Sequence, residues 1–94
     1  MSATYEVRNN ETLQRFELET DAGTAFIAYS MDGDAVSLDH TEVPDALAGR
    51  GIGSALVKGT LELIAARKQK IVPRCSFVAA YLQRHPEYQS LVVS

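Results

Sequence analysis

The sequence predicts an α/β (α+β) fold in which an antiparallel meander of four strands precedes one βαβ crossover and a C-terminal helix, in the order ββββαβα. In the first half of the chain, apolar and polar residues alternate, as in strands with one buried face. After residue 51 the apolar residues instead follow helical spacing, and a short apolar stretch then separates two helical segments.

The strands of the meander are expected near residues 4–8, 13–20, 24–31 and 34–43. The alternation is clearest in the second strand, where Phe16 and Leu18 flank Glu17. Asp32 and Gly33 favour a tight hairpin between the third and fourth strands, because glycine tolerates a positive φ.

The second half of the chain predicts two helices separated by a strand. Apolar residues such as Ile52 and Leu56 fall on one side of an amphipathic helix over about 51–68, and the basic RKQK segment at its end complements the helix dipole. KIVP, residues 70–73, is expected to form a short buried strand parallel to the fourth strand, because a helical crossover joins the two. A second helix is expected over 76–85, ended by Pro86.

Composition indicates an ordinary globular domain, with 46% hydrophobic and 22% charged residues. A chain of 94 residues is expected to form a single domain over 1–94. It has no signal-peptide pattern and no apolar run near the roughly 20 residues of a membrane span, so a cytoplasmic location and no membrane partner are expected. The net charge of −3 gives no general attraction for nucleic acid, and one cysteine with two histidines is too few for a structural zinc site.

The segment ALAGRGIGSALV, residues 46–57, places three glycines at alternate positions where the first helix begins. Free amides and the positive end of the helix dipole form a site for an anion such as phosphate. Gly49, Gly51 and Gly53 would leave the approach open, and Arg50 can add charge-assisted hydrogen bonds. The segment fits neither the dinucleotide-binding GxGxxG pattern nor the nucleoside triphosphate loop. The alternative is a turn that only lets the helix pack closely on the sheet.

The segment GRGIGSALV, after HTEVP, resembles motif A of the GNAT superfamily of acetyl-CoA-dependent N-acetyltransferases. The later VPRCSFVAAYLQRHPEY is similar to the downstream half of the minimal, single-domain members of this superfamily. The resemblance spans residues 36–92. It implies a GNAT-like mixed sheet, acetyl-CoA as cosubstrate and an amine as acceptor.

The resemblance also implies the residues that bind coenzyme A. They lie in the glycine turn, on the strand before it and in the later segment: Val43, Gly49, Arg50, Gly51, Ile52, Gly53, Ser54, Cys75 and Tyr81. In the family, the pyrophosphate lies on the amides of the turn, and the pantetheine arm lies where the fourth and fifth strands splay apart. Ala48 stands where the motif has Gln or Arg, which implies weaker affinity unless Arg50 compensates. Only a turn joins the first two strands, where larger members have helices, so the acceptor side is expected to be open to a bulky amine, such as one on a protein.

Acetyl transfer to an amine requires a proton acceptor, because a lysine amine with a pKa of about 10.4 is protonated at pH 7. Glu42, at the end of the fourth strand, is the candidate base, directly or through water. It is equally interpretable as a solvated carboxylate. His40 lies two residues earlier on the same strand face, where it is either enclosed by the sheet or supports a proton relay.

Cys75 and Tyr81 are the other two catalytic candidates. Tyr81 matches the position at which many family members carry a tyrosine that protonates the leaving thiolate, or it packs its ring with the hydroxyl at the rim. Cys75 is expected in the first turn of the second helix, where the dipole lowers a thiol pKa. It would carry an acyl group, form a disulfide with coenzyme A, or simply lie near the cofactor as a small buried residue. A hydrolase that pairs Cys75 with His85 is disfavoured, because nearly three helical turns separate them.

Three functions remain open from the sequence. The first is an N-acetyltransferase in which a primary amine attacks the thioester directly, with amide donors near the fourth strand polarising its carbonyl. The second is a non-catalytic coenzyme A binding or protein-interaction module of the same fold. The third is an unrelated α/β interaction domain. The sequence also leaves the oligomeric state open between a monomer and a weak dimer.

Overall fold

A computed structural model describes residues 5–47 and 49–93. Five strands form one sheet in the order β1-β2-β3-β4-β5. The elements are β1 (Val7–Asn10), β2 (Arg15–Thr20), β3 (Gly23–Asp32), β4 (Ala35–Glu42), α1 (Ile52–Ala66), β5 (Ile71–Pro73) and α2 (Ser76–Arg84), with short 3₁₀ helices at Asp45–Leu47 and Pro86–Leu91. Strands β1 to β4 are antiparallel and β5 is parallel to β4. The predicted order and the predicted mixed sheet are therefore confirmed.

The first hairpin lies further along the chain than predicted. β1 pairs from Val7 opposite Leu18 to Asn10 opposite Arg15, so the predicted strand over 4–8 is displaced, and its first residue lies outside the described part of the chain. Residues 11–14 form the turn instead. The amide of Leu13 donates to Oδ1 of Asn10 at 3.2 Å, which closes this turn locally.

Both helices end earlier than predicted. Helix α1 ends at Ala66 because Lys68 has φ 58° and the amide of Gln69 bonds back to the carbonyl of Ile64 at 3.2 Å. The RKQK segment therefore follows the helix rather than forming its last turn. After α2 the chain forms a 3₁₀ helix that the sequence did not predict, and Val93 then donates its amide to the carbonyl of Ile71 at 3.0 Å.

The core lies between one face of the sheet and the two helices. Apolar side chains from both layers are fully or almost fully buried: Leu18, Ile27, Leu38, Leu56, Leu61, Ile64, Val78 and Leu82. The strand pairings place polar side chains on the opposite face, where Arg15, Glu17, His40 and Glu42 lie around Phe26. We call this surface the polar face.

A bulge in β4 decides which side chains reach the helix side. Leu38 lies opposite Tyr29 and His40 lies opposite Ala28, so Asp39 is an extra residue without an opposite partner on β3. Its carboxylate accepts hydrogen bonds from the hydroxyls of Ser30, at 2.7 Å, and Ser37. Because side chains alternate along a strand, the extra residue turns Thr41 to the same face as Leu38. An unbroken strand would place Thr41 on the polar face.

Within the part of the chain that the structure describes, no helix is long and apolar enough to cross a bilayer. Over residues 5–47 and 49–93, no three or more potential His, Cys, Asp or Glu ligands are grouped closely enough to hold a metal ion.

Candidate active site

Strands β4 and β5 separate after a short paired stretch. They pair from Val36 opposite Ile71 to Leu38 opposite Pro73. The amides of Arg74 and Cys75 then both donate to the carbonyl of Leu38, at 3.1 and 2.9 Å, and the chain turns into α2. Beyond this point β4 continues to Glu42 with no described partner on its β5 side. This is the splay that the resemblance implies.

A groove of about 310 Å³ lies at the mouth of this splay. Its walls come from the end of β4, the glycine turn and the start of α2: Val43, Leu47, Gly49, Gly51, Ile52, Gly53, Ser54 and Phe77. Most of the residues predicted to bind coenzyme A are thus brought together. Arg50 is exposed at the turn beside the groove, and Ala48, the departure from motif A, lies outside the described residues.

The glycine turn presents free backbone donors to the groove. Gly49 and Gly51 have φ of 79° and 72°, so the backbone itself requires glycine there, and an added Cβ would meet no atom within 4 Å. Helix α1 starts without a side-chain cap, and its first bond runs from the amide of Ala55 to the carbonyl of Gly51 at 3.1 Å. The amides of residues 52–54 therefore have no acceptor within the helix. Together with the helix dipole, they fit a diphosphate.

Gly53 has a different role from the two glycines before it. A Cβ at Gly53 would lie 2.5 Å from Cζ of Phe77, so the bare Cα admits the aromatic ring against α1. Close packing, the alternative interpretation of the glycine turn, therefore applies to this position. Phe77 is 39% exposed and forms a wall of the groove, a role that the sequence did not predict. The feature of the sequence that could have indicated this role is its position two residues after Cys75.

Cys75 lies deeper in the splay than the groove residues. It is the residue before α2, with extended φ and ψ of −80° and 129°, and not part of the first helical turn as predicted. Its Sγ is 3.1 Å from Oγ1 of Thr41, a contact that sequence reasoning missed. Burial raises the pKa of the Cys75 thiol, but the hydrogen bond from Thr41 and the amides of Val78 and Phe77 outweigh it, so the net pKa is lowered.

Glu42 and His40 lie together on the polar face, on the other side of β4 from Cys75. His40 Nε2 is 3.6 Å from Glu42 Oε2, and the two side chains are 63% and 61% exposed. The interpretation of His40 as enclosed by the sheet is therefore wrong. Because both groups contact water, either can exchange a proton with solvent directly.

Tyr81 is buried near the end of α2. Its ring stacks on His85, with ring centroids 4.1 Å apart. Burial raises the pKa of Tyr81, and the neighbouring Tyr88 and Glu87 add to this, so the phenol keeps its proton at neutral pH. The proton-donor role of Tyr81 stays a prediction.

Comparison with known proteins identifies the family. The family model for GCN5-related N-acetyltransferases matches residues 15–91. Protein NATD1 of Gallus gallus and of Mus musculus are each 39% identical over 56 residues, which cover 60% of this chain and 51% of theirs, so the match spans about half the length of these relatives. Protein NATD1 of Danio rerio is 26% identical over 94 residues, covering 97% of this chain and 86% of its own.

A solved structure agrees with the fold. The NMR solution structure of a GCN5-like protein from Staphylococcus aureus superposes with a TM-score of 0.70 at 29% identity, covering 95% of this chain and 88% of the other. The family generally uses acetyl-CoA as its acyl donor. Because the family model extends from the start of β2 to the end of the second 3₁₀ helix, the chain belongs to the GCN5-related N-acetyltransferase family.

Proposed function

We propose that this chain is an acetyl-CoA-dependent N-acetyltransferase that transfers an acetyl group to a primary amine by direct attack of the amine on the thioester. The observation that carries the proposal is the glycine turn, whose free amides open into a groove that continues toward the splay of β4 and β5. At Gly49 and Gly51 an added Cβ would meet open space, so close packing against a neighbour does not account for these two glycines.

The residues of the turn would hold the phosphates. The amides of residues 52–54 donate to the phosphate oxygens, and the exposed guanidinium of Arg50 supplies a second positive group. The backbone at Val43 would pair with the amides of the pantetheine arm. Acetyl-CoA would supply the activated acyl group, and backbone amides at the unpaired end of β4 would polarise the thioester carbonyl.

Proton transfer is assigned to groups along the unpaired end of β4. Glu42, with His40 beside it, would accept the proton of the amine through water, since both are exposed on the polar face. Cys75 would lie beside the acyl group on the helix side of the same strand. Tyr81 is proposed as the donor to the leaving thiolate because the resemblance to the family assigns a tyrosine to this position.

The acceptor is proposed to be a bulky amine, such as a lysine on a protein. Between β1 and β2 only residues 11–14 intervene, so no helix of that segment encloses the acceptor side. The polar face is broad enough to meet an extended partner, because residues of β1 to β4 contribute to it.

Binding is tested by calorimetry with coenzyme A on the full chain. We expect a saturable heat of binding. The affinity for coenzyme A should fall about tenfold in Arg50→Ala, because charge-assisted hydrogen bonds to phosphate are lost. Arg67→Ala is the matched control, since Arg67 is also exposed but follows the far end of α1. The absence of both binding heat and thermal stabilisation by saturating coenzyme A would refute the proposal.

Turnover is tested by the release of free thiol from acetyl-CoA in the presence of peptides that carry lysine. Glu42→Gln should slow the release about tenfold or more while leaving the coenzyme affinity unchanged. Binding without thiol release for any amine offered would identify a non-catalytic coenzyme A module.

A further inference from the structure

Thr41 contacts Cys75 only because of the bulge in β4. The bulge at Asp39 turns Thr41 to the helix side, opposite Ile27, where the splay leaves its β5 side without a strand partner in the described chain. Thr41 is β-branched, so its side chain has few rotamers available. In the structure its hydroxyl lies toward Cys75, the residue that precedes α2.

Once the sulfur of Cys75 ionises, only Thr41 can be the donor in the hydrogen bond between them. Oγ1 of Thr41 and Sγ of Cys75 are 3.1 Å apart, and either atom can donate while the thiol is neutral. A thiolate can only accept, so the hydroxyl must then be the donor. Hydrogen bonds to an ionised acceptor are stronger than those between neutral groups, so this contact favours the thiolate.

Charged side chains are directed away from this sulfur. His40 and Glu42 of β4 lie on the polar face, and Arg74 lies 3.8 Å from Asp32. The first turn of α1 carries no acidic residue, β5 has no ionisable side chain, and Tyr81 of α2 stacks on His85. Neutral hydrogen-bond donors therefore stabilise the thiolate here. Among the described residues, Thr41 is the only one that contributes a side-chain donor.

We propose that Thr41 is a positioning residue for Cys75, whose hydroxyl fixes the sulfur in the splay and donates a hydrogen bond to it when the sulfur ionises. The effect of this hydrogen bond on catalysis rests on the proposed function, in which the acyl group lies beside Cys75. Removing the hydroxyl of Thr41 should then lower the rate at which the Cys75 thiol is alkylated at neutral pH.

The test is the pH dependence of alkylation by iodoacetamide. Cys75 is the single cysteine of the chain, so all thiol reactivity belongs to it. In Thr41→Val, which keeps the branched shape and removes the donor, the rate profile should move to higher pH and the rate at pH 7 should fall about tenfold. Thr41→Ser keeps the hydroxyl and should react within about twofold of the parent.

An unchanged profile in Thr41→Val, or an equal shift in Thr41→Ser, would overturn the proposal. Circular dichroism and thermal unfolding establish that each variant is folded, and Thr41→Ala serves as a second variant without the donor if Val does not fit. Because alkylation uses neither coenzyme A nor an amine, its outcome is independent of the acetyl-transfer assay. Failure of coenzyme binding would refute the proposed function and leave this result standing.

Discussion

At the residue scale, Thr60 combines complete burial with an unsatisfied hydroxyl. Its side chain is inaccessible to solvent within α1, and Oγ1 has no hydrogen-bond partner in the described parts of the chain. A buried polar group without a partner destabilises the folded state, because it gives up its hydrogen bonds to water on folding.

Replacing this hydroxyl with a methyl group should therefore stabilise the protein. We expect Thr60→Val to raise the free energy of unfolding by about 1 kcal/mol, measured by urea denaturation. Thr60→Ser keeps the hydroxyl and removes the methyl group, so it should lower that free energy. A Val variant no more stable than the parent would show that the hydroxyl has a partner after all.

The site residues differ in how far the sequence could predict them. Gly49 and Gly51 could be predicted because left-handed backbone and a helix start leave a local pattern. Thr41 could not, because its direction depends on a bulge held by Ser30, which is on a different strand. The side of β4 on which Glu42 would lie relative to Cys75 depends on the same bulge.

At the element scale, β1 docks on α1 at a single bare position of the helix. An added Cβ at Gly59 would lie 2.4 Å from Cγ2 and 2.9 Å from Cβ of Val7. The second atom is next to the backbone, so the strand cannot avoid the clash by a simple rotation of the side chain.

This contact predicts that Gly59→Ala is destabilising despite the better helix propensity of alanine. The gain in propensity is about 1 kcal/mol, and we expect overpacking to exceed it, for a net loss of about 1–2 kcal/mol in urea denaturation. In the double variant with Val7→Ala the two losses should be less than additive, since the clash is relieved. Net stabilisation by Gly59→Ala alone would contradict this docking.

Element boundaries followed from the sequence only where the signal was local. Pro86 ends α2 nearly where predicted, because it cannot continue the helix. The end of α1 was missed because Lys68 adopts a positive φ, which its residue type does not announce.

At the scale of the whole molecule, the polar face contains a carboxylate tied into the sheet. Glu17 is mostly buried and accepts hydrogen bonds from Arg15 and, at 3.3 Å, from Asn10. Cζ of Arg15 in turn lies 4.2 Å from the centroid of the Phe26 ring. The hydrogen bond from Arg15 is the main cause that lowers the pKa of Glu17 from its ordinary 4.5, against the opposing effect of burial.

The lowered pKa makes global stability depend on pH. A carboxylate with a folded pKa below the unfolded one contributes its stability fully above the unfolded value and loses it as pH falls through the folded value. We expect the melting temperature to fall below about pH 5 in the parent and to fall less steeply in Glu17→Gln, which should also melt lower at pH 7. Glu19→Gln, on the exposed end of β2, is the control and should keep the acid sensitivity of the parent. Equal pH profiles for Glu17→Gln and the parent would contradict this assignment.

The order of the elements was more predictable than the way in which the C-terminal residues return to the sheet. The change from strand to helix spacing and the single crossover determine the order of elements. The return of the chain from the second 3₁₀ helix to β5 depends on a backbone bond between Val93 and Ile71, which no side-chain pattern encodes.

That return has a consequence for self-assembly. Val92 bridges Ile71 and the amide of Val93 donates to its carbonyl, so these residues cover the outer side of β5 at Ile71, while β1 forms the opposite margin of the sheet. Growth of a fibril by edge-to-edge stacking needs two bare margins on every subunit. The cover at Ile71 therefore disfavours fibril growth from the β5 margin.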